Sequence, residues 1–192
     1  AYCLAQKGLR PVLIEAEALC SGTTGNTTGK VTIQHDIFYS NTINKYGEEA
    51  AREYALSQTE ALDFVRRAVE REGIDCQLQD SVAYVYASTE WDVETLEKEY
   101  EAAKRIGIDA ELIEVSDFPP GNHGLLGFKN QAVFHPVRYV NGLARAAAAK
   151  GAEIYCGTKA VRLDNKETKI ISCENGVTIR ARHLVMATQY PF

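Results

Sequence analysis

Two neighbouring features of residues 11–30 could do chemistry. The apolar strand Val12-Leu13-Ile14 runs straight into a carboxylate, Glu15, and six residues later the chain becomes a loop of Ser, Gly, Thr and Asn, SGTTGNTTGK. A carboxylate at a strand end suits a ribose, because it can accept both hydrogens of a diol. Gly22, Gly25 and Gly29 let backbone N–H groups approach phosphates or a planar ring closely. Upstream, Ala1 to Lys7 reads as the end of a helix with Gly8 just past its C-terminus. Helix, turn, strand and acid make the second half of a dinucleotide-binding βαβ unit. The first half, a strand and a G-x-G-x-x-G turn, is not in the chain. The chain begins inside a helix and reads as a piece of a longer protein.

The elements that must hold these residues follow from periodicity. Val31 to Tyr39 is partly extended and aromatic. Glu48 to Glu72 is a long amphipathic helix with Tyr54, Gln58, Ala61, Leu62, Val65 and Val69 on its apolar face, ended by Gly73. An alternating strand lies within Cys76 to Ala87. A capping box, Thr89 with Asp92, opens a helix that runs to Ile106 and closes at Gly107. Ala110 to Val115 is a short strand. Asp117 to Asn122 is a loop, and Gly124 to His135 reads as a hairpin turning at Lys129-Asn130. Pro136 starts an alanine-rich helix that ends at Gly151. Glu153 to Tyr155 is a strand. Ala160 to Leu163, Lys169 to Ser172 and Val177 to Arg180 form a meander with an Asn175-Gly176 turn, and His183 to Ala187 is a last apolar strand. Strand and helix alternate at both ends, which points to a parallel layered sheet. The middle points to a mixed or antiparallel sheet.

Composition narrows the classes. The 192 residues carry a net charge of −5 with scattered Lys and Arg, which argues against a nucleic-acid partner. No apolar run approaches a membrane span. None of the five cysteines sits in C-x-x-C and their count is odd, which argues against a metal site or a redox pair. A reducing, cytoplasmic setting fits best.

The pattern AYxLAxxG, then VLIE, then SG-x-x-G-N-x-x-G resembles the FAD-dependent oxidoreductases of the D-amino-acid oxidase, glycine oxidase and sarcosine oxidase superfamily. The stretch FHPVRYVNGLARAAAAKGAEIYCGTKAV resembles it independently, with its Pro-initiated helix, Lys-Gly exit, strand and T-x-x-V step. The resemblance implies an α/β fold: a partial Rossmann-like FAD-binding domain of glutathione-reductase type with an inserted α+β substrate-side domain. It implies boundaries of 1–74 and 136–192 for the FAD-binding domain and 75–135 for the insertion. It places Glu15, rather than Glu17, on the ribose. Ser21, Gly22, Thr23, Thr24, Gly25, Asn26, Thr27, Thr28 and Gly29 are implied for the phosphate or flavin. Val161 is implied for the adenine edge, through its backbone, and Ala187 and Thr188 for the adenosine and pyrophosphate side. Gln189 stands where the family usually has Gly.

The implied reaction removes a hydride from an amine or related small molecule to the flavin. The catalytic residues and the electron acceptor stay open. His35 could lie near the flavin and Arg138 could pair with a substrate carboxylate, although a structural histidine and a solvated helix face are the simpler readings. His135 reads as a turn residue, and Tyr84 and Tyr86 as packing on the inserted sheet. The loop is close to that of relatives carrying an added Rieske domain, so a [2Fe–2S] cluster is expected only in a C-terminal part outside this sequence. Two rivals are a non-catalytic nucleotide-binding module of the same fold and an NAD-linked dehydrogenase. The long Gly- and Thr-rich loop speaks against the second. The piece itself is expected to hold FAD weakly, to lack turnover, and to leave an open sheet edge beside Val12.

Overall fold

The computed structural model describes residues 1–114, 117 and 119–188. The fold consists of two compact units. Ala1–Thr27 joins the chain from Pro136 onward in the first, and Thr28–His135 makes the second. The second unit thus starts well before residue 75 and takes in the long helix.

In the first unit, β1 (Val12–Ile14) pairs in parallel with β6 (Glu153–Tyr155), with Val12 opposite Glu153 and Ile14 opposite Tyr155. Helix α1 (Tyr2–Gln6) buries Tyr2 and Ala5 and packs against α5 (Pro136–Ala149), which buries Tyr139 and Ala147. The expected meander is present. Strands β7 (Ala160–Asn165), β8 (Lys169–Cys173) and β9 (Thr178–Ala181) pair antiparallel in that order, with Gly176 at φ +82° in the turn between the last two. The Asn175 side chain accepts from the Val177 amide at 3.2 Å and tightens that turn.

The expected last strand is not there. Residues 183–188 belong to no ladder and are exposed, Val185 more than Leu184 or Met186. An apolar run becomes a strand only where another strand offers it hydrogen bonds, and among the described residues none does. Gln189 lies outside the described residues.

The second unit is built on one strand. β5 (Leu125–Val133) pairs antiparallel with β3 (Gln79–Tyr86) along one edge. Its other edge is shared by β4 (Ala110–Ile113), opposite 125–128, and β2 (Lys30–Val31), opposite 132–133. The sheet is antiparallel throughout. The expected hairpin at Lys129-Asn130 is instead a bulge inside this continuous strand, where the register shifts between Ser81 and Ala83. Asn130 takes the left-handed conformation (φ +60°), and Lys129 donates to the Asp109 carbonyl at 2.9 Å. Asn relieves a bulge as readily as a turn, so the dipeptide alone does not separate the two. Arg66 seals the kink by reaching the Asn130 carbonyl (3.1 Å) and the Asp80 carboxylate (2.8 Å). The strand expected to reach Val115 ends at Ile113, and Val115 lies outside the described residues.

Helix α3 (Glu48–Glu72) has its expected bounds and ends on Gly73 at φ +59°. It buries Ala51, Ala55, Leu62 and Ala68, whereas Ala61 is exposed. Helix α4 (Glu90–Arg105) opens with the expected capping box. Hydrogen bonds from Ser88 and Thr89 hold the Asp92 carboxyl below the usual carboxylate range. These helices cover the sheet face carrying Leu126 and Phe128, and Tyr39, Ile33, Leu96 and Ile106 complete the core. Each large side chain buried there contributes about 1.5–3 kcal/mol.

A further helix, α2 (Tyr39–Tyr46), escapes sequence reasoning. It starts where it does because of Glu99. This carboxylate is 0% exposed and accepts from three backbone amides at the start of α2: Phe38 (3.0 Å) and Tyr39 (2.7 Å) on Oε1, and Ser40 (2.8 Å) on Oε2. A side chain of another helix therefore serves as the N-cap.

Glu99→Ala would strand one buried and two half-buried donors and should lower the unfolding free energy by about 3 kcal/mol, whereas Glu99→Gln, which keeps an acceptor oxygen, should cost less. Urea titration of both variants checks this; a loss under about 1 kcal/mol for Glu99→Ala would contradict it. The lowered Asp92 pKa means that its cap is complete above the ordinary carboxylate range and is lost as pH falls through the lowered value. Asp92→Asn should therefore flatten the acid limb of the stability curve.

Candidate cofactor site

Glu15 follows β1 directly, and its backbone is held on both sides. Its amide donates to the Tyr155 carbonyl (2.9 Å), and its carbonyl accepts from the Thr158 amide (2.9 Å). The carboxylate is half-buried. One oxygen accepts from the Glu17 amide at 3.1 Å, and the other has no partner among the described residues. An anchored backbone carrying an unspent carboxylate oxygen suits the recognition of a diol. Glu17 is exposed, and its carbonyl accepts from Gly157 (2.9 Å). Ala16, Glu17, Gly157, Lys159, Glu174 and Asn175 line an open depression of about 520 Å³. Across it, Lys159 pairs with Glu174 at 3.2 Å.

The loop that follows divides its groups between internal use and exposure. Ser21 to Thr28 are all exposed, and only Gly29 is buried. Thr23–Asn26 forms a 3-10 turn in which the Gly22 carbonyl accepts from the Gly25 amide (3.2 Å) and from the Asn26 side chain (3.0 Å). Asn26 is thus spent on the loop itself. Gly25 has a similar inward reason, since a Cβ there would overlap the Cys20 carbonyl oxygen. The loop needs glycine at 25 to close on itself, before any ligand is considered. At Gly22 a Cβ would meet nothing. The amides of Gly22, Thr23 and Thr24 donate to no group among the described residues and remain available to an anion or a ring oxygen. Gly29 holds φ +74°, which favours glycine, and its carbonyl accepts from Phe134 at 3.0 Å. Cys20 is left-handed (φ +65°); burial and then the Glu15 charge push its thiol up, so it stays protonated at neutral pH.

Val161 occupies an irregularity that sequence reasoning did not foresee. Ala160 pairs with Cys173 and Arg162 with Ser172, so Val161 is the extra residue of a bulge, half-exposed and outside the paired register. Ala187 and Thr188 lie in exposed irregular chain.

The weaker candidates have ordinary settings. His35 is exposed, its ring edge-on to Phe38 (5.8 Å) and Tyr54 (6.0 Å). His135 is exposed and ties its amide to the Cys76 carbonyl at 2.7 Å. Arg138 lies exposed on the first turn of α5. Tyr84 and Tyr86 share the open face of β3, where the Tyr84 ring lies across Gly127, and Lys129 pairs with Glu111 at 2.9 Å. Among the described residues no group of His, Cys, Asp or Glu could hold a metal, and all five cysteines are free. No described helix is long and apolar enough to cross a membrane.

Gly25→Ala should displace the Cys20 carbonyl and speed exchange of the Gly25 amide, and Gly22→Ala should leave that amide unchanged. Hydrogen exchange of the two variants tests the distinction, and equal rates would overturn it.

Over its whole length the chain is 35% identical to the putative Rieske 2Fe-2S iron-sulfur protein YhfW of Bacillus subtilis (strain 168), of which it spans 38%. Among solved structures, glycine oxidase from Geobacillus kaustophilus superposes with a TM-score of 0.74 at 20% identity, covering 97% of this chain and 50% of that one. The L-amino acid deaminase of Proteus vulgaris gives a TM-score of 0.68 at 17% identity, covering 93% of this chain and 41% of that one. The chain thus spans half or less of the proteins it resembles. The profile of the family described as FAD dependent oxidoreductase matches residues 1–190, and the chain belongs to that family.

Proposed function

We propose that the complete protein is a flavoenzyme that takes a hydride from the C–N bond of an amine or amino acid. The observation that carries this reading is the anchored Glu15, whose unpaired carboxylate oxygen adjoins a loop with unspent amides. The donor set fits FAD group by group. Glu15 takes the ribose diol, the amides of Gly22, Thr23 and Thr24 take phosphate or ring oxygens, and the bulged backbone at Val161 meets the adenine edge. The hydroxyls of Ser21, Thr23, Thr24, Thr27 and Thr28 add polar contacts, Gly25, Asn26 and Gly29 shape the loop, and Ala187 and Thr188 take the pyrophosphate side. Bound FAD supplies the hydride-accepting chemistry, and the protein supplies orientation and charge. We assign the inserted segment, residues 75–135, to the substrate side. The names of the structural neighbours, glycine oxidase and L-amino acid deaminase, support an amine substrate.

For the electron acceptor we propose a Rieske [2Fe–2S] cluster, on the strength of the Bacillus relative's name. Such a cluster needs two His and two Cys ligands, and no such set occurs among the described residues. Its ligands would therefore come from elsewhere in the complete protein. Five unpaired cysteines fit a reducing, cytoplasmic setting.

Glu15→Ala in the complete protein should weaken FAD binding about tenfold to a hundredfold, the worth of one hydrogen bond to a charged group. Glu17→Ala should leave it unchanged. Flavin titration of the two apoproteins decides, and equal affinities would overturn the ribose assignment. Purified protein without flavin absorbance would sink the reading as a whole. Absorbance that no amine bleaches would favour a non-catalytic module.

A further inference from the structure

The dipeptide Asn-Gly occurs twice in the first unit, at Asn141-Gly142 and at Asn175-Gly176. Asparagine before glycine has a chemistry of its own. The glycine nitrogen can attack the asparagine side-chain carbonyl carbon, because glycine has no Cβ to hinder the approach and its backbone turns freely. The fold treats the two copies differently.

Asn141-Gly142 lies inside α5, where Gly142 is buried together with Tyr139 and Ala147. The Asn141 Nδ2 donates to the Val137 carbonyl at 2.9 Å. Attack there would break the ladder of a helix that packs against α1. Asn175-Gly176 makes the turn between β8 and β9, and Glu174, Asn175, Gly176 and Val177 are all exposed. A single bond, from the Gly176 amide to the Cys173 carbonyl (3.0 Å), holds the attacking nitrogen. The Asn175 Oδ1 accepts from the Val177 amide at 3.2 Å, which folds the carboxamide back along the chain, and Nδ2 donates to nothing among the described residues. A Cβ placed on Gly176 would meet nothing, so the turn has room to rearrange. Opening an exposed turn costs far less than opening a packed helix.

We propose that Asn175 is a site of spontaneous deamidation, which adds a carboxylate to the depression lined by Glu17, Lys159 and Glu174. The Gly176 nitrogen gives its proton to solvent base and bonds to the Asn175 Cγ. The Cγ–Nδ2 bond breaks and ammonia leaves. Water then opens the cyclic imide at either carbonyl. One product is aspartate; the other is isoaspartate, in which the main chain runs through the side-chain carbon. No oxidant or reductant takes part. Either product sets a new negative charge among Glu17, Glu174 and the Lys159 ammonium, which pairs with Glu174 at 3.2 Å. Isoaspartate also lengthens the main chain in a turn closed by the Gly176 bond and by the Cys173 amide on the Val177 carbonyl (2.8 Å).

The test ages the complete protein in warm neutral buffer, native and in urea, maps its peptides by mass, and counts isoaspartate by enzymatic methylation. In the native protein the peptide holding Asn175 should convert at least about tenfold faster than the peptide holding Asn141, with isoaspartate among the products. In urea the two should convert at similar rates, because the dipeptide is the same. Asn175→Gln, whose longer side chain must close a larger ring, should block conversion at the turn. Equal native rates at the two sites would overturn the role given to the turn. Conversion of Asn175 in urea but not in the native protein would show that the bond to Cys173 protects it, and would overturn the site. Conversion that persists in that peptide of Asn175→Gln would place the reaction at another residue and overturn it as well.

Discussion

The candidate cofactor site depends on three pairs of residues aligned in parallel. Val12, Leu13 and Ile14 lie beside Glu153, Ile154 and Tyr155, well over a hundred residues apart in the chain. The contact is short, but hydrogen bonds extend it at both ends, from Glu153 to the Pro11 carbonyl and through Glu15 and Glu17 to residues 155–158. This alignment carries Glu15 to the end of the strand with its backbone fully engaged and its carboxylate half free. In parallel sheets ligands collect beyond the carboxyl ends of the strands, and Glu15 occupies such an end. A one-residue slip would turn its side chain to the other face.

The loop after β1 separates two demands that a glycine-rich sequence runs together. Some of its glycines serve the loop itself. Gly25 admits the Cys20 carbonyl, and Gly29 holds a left-handed turn into β2. Gly22 has no neighbour to avoid, and it begins the run of amides that stay unspent. Asn26, a polar residue that invites assignment to a ligand, closes the turn onto Gly22 instead. A polar, exposed loop can thus be rigid, because its own carbonyls consume part of its donors.

The second unit turns on a buried charge and a kinked strand. Glu99 lies on the apolar side of α4, with Leu96 and Ala103, and satisfies three amides of α2. Its burial is affordable because hydrogen bonds to a carboxylate are among the stronger ones and the N-terminus of a helix favours negative charge. Strand β5 carries three partner strands, and the bulge at Lys129-Asn130 bends it where Arg66 can reach the exposed carbonyls.

The sequence by itself determined what depends on local pattern. The bounds of α3, the capping box of α4, the Pro136 start of α5, the strand at 153–155 and the Asn175-Gly176 turn all follow from period, cap and turn chemistry within a few residues. The acid at the strand end and the loop beyond it were legible for the same reason. Tertiary structure decided what depends on a distant partner. Residues 183–188 have a strand's composition and no strand to pair with. Lys129-Asn130 could have reversed the chain, but β3 and Asp109 supply bonds that keep it in one continuous, bulged strand. Helix α2 exists where Glu99, sixty residues away, caps it; the one signal was a charged residue at a buried helical position, which needs a partner. The bulge at Val161 left no trace in the sequence, because a register shift exists only once the fold has brought the partner strand into place.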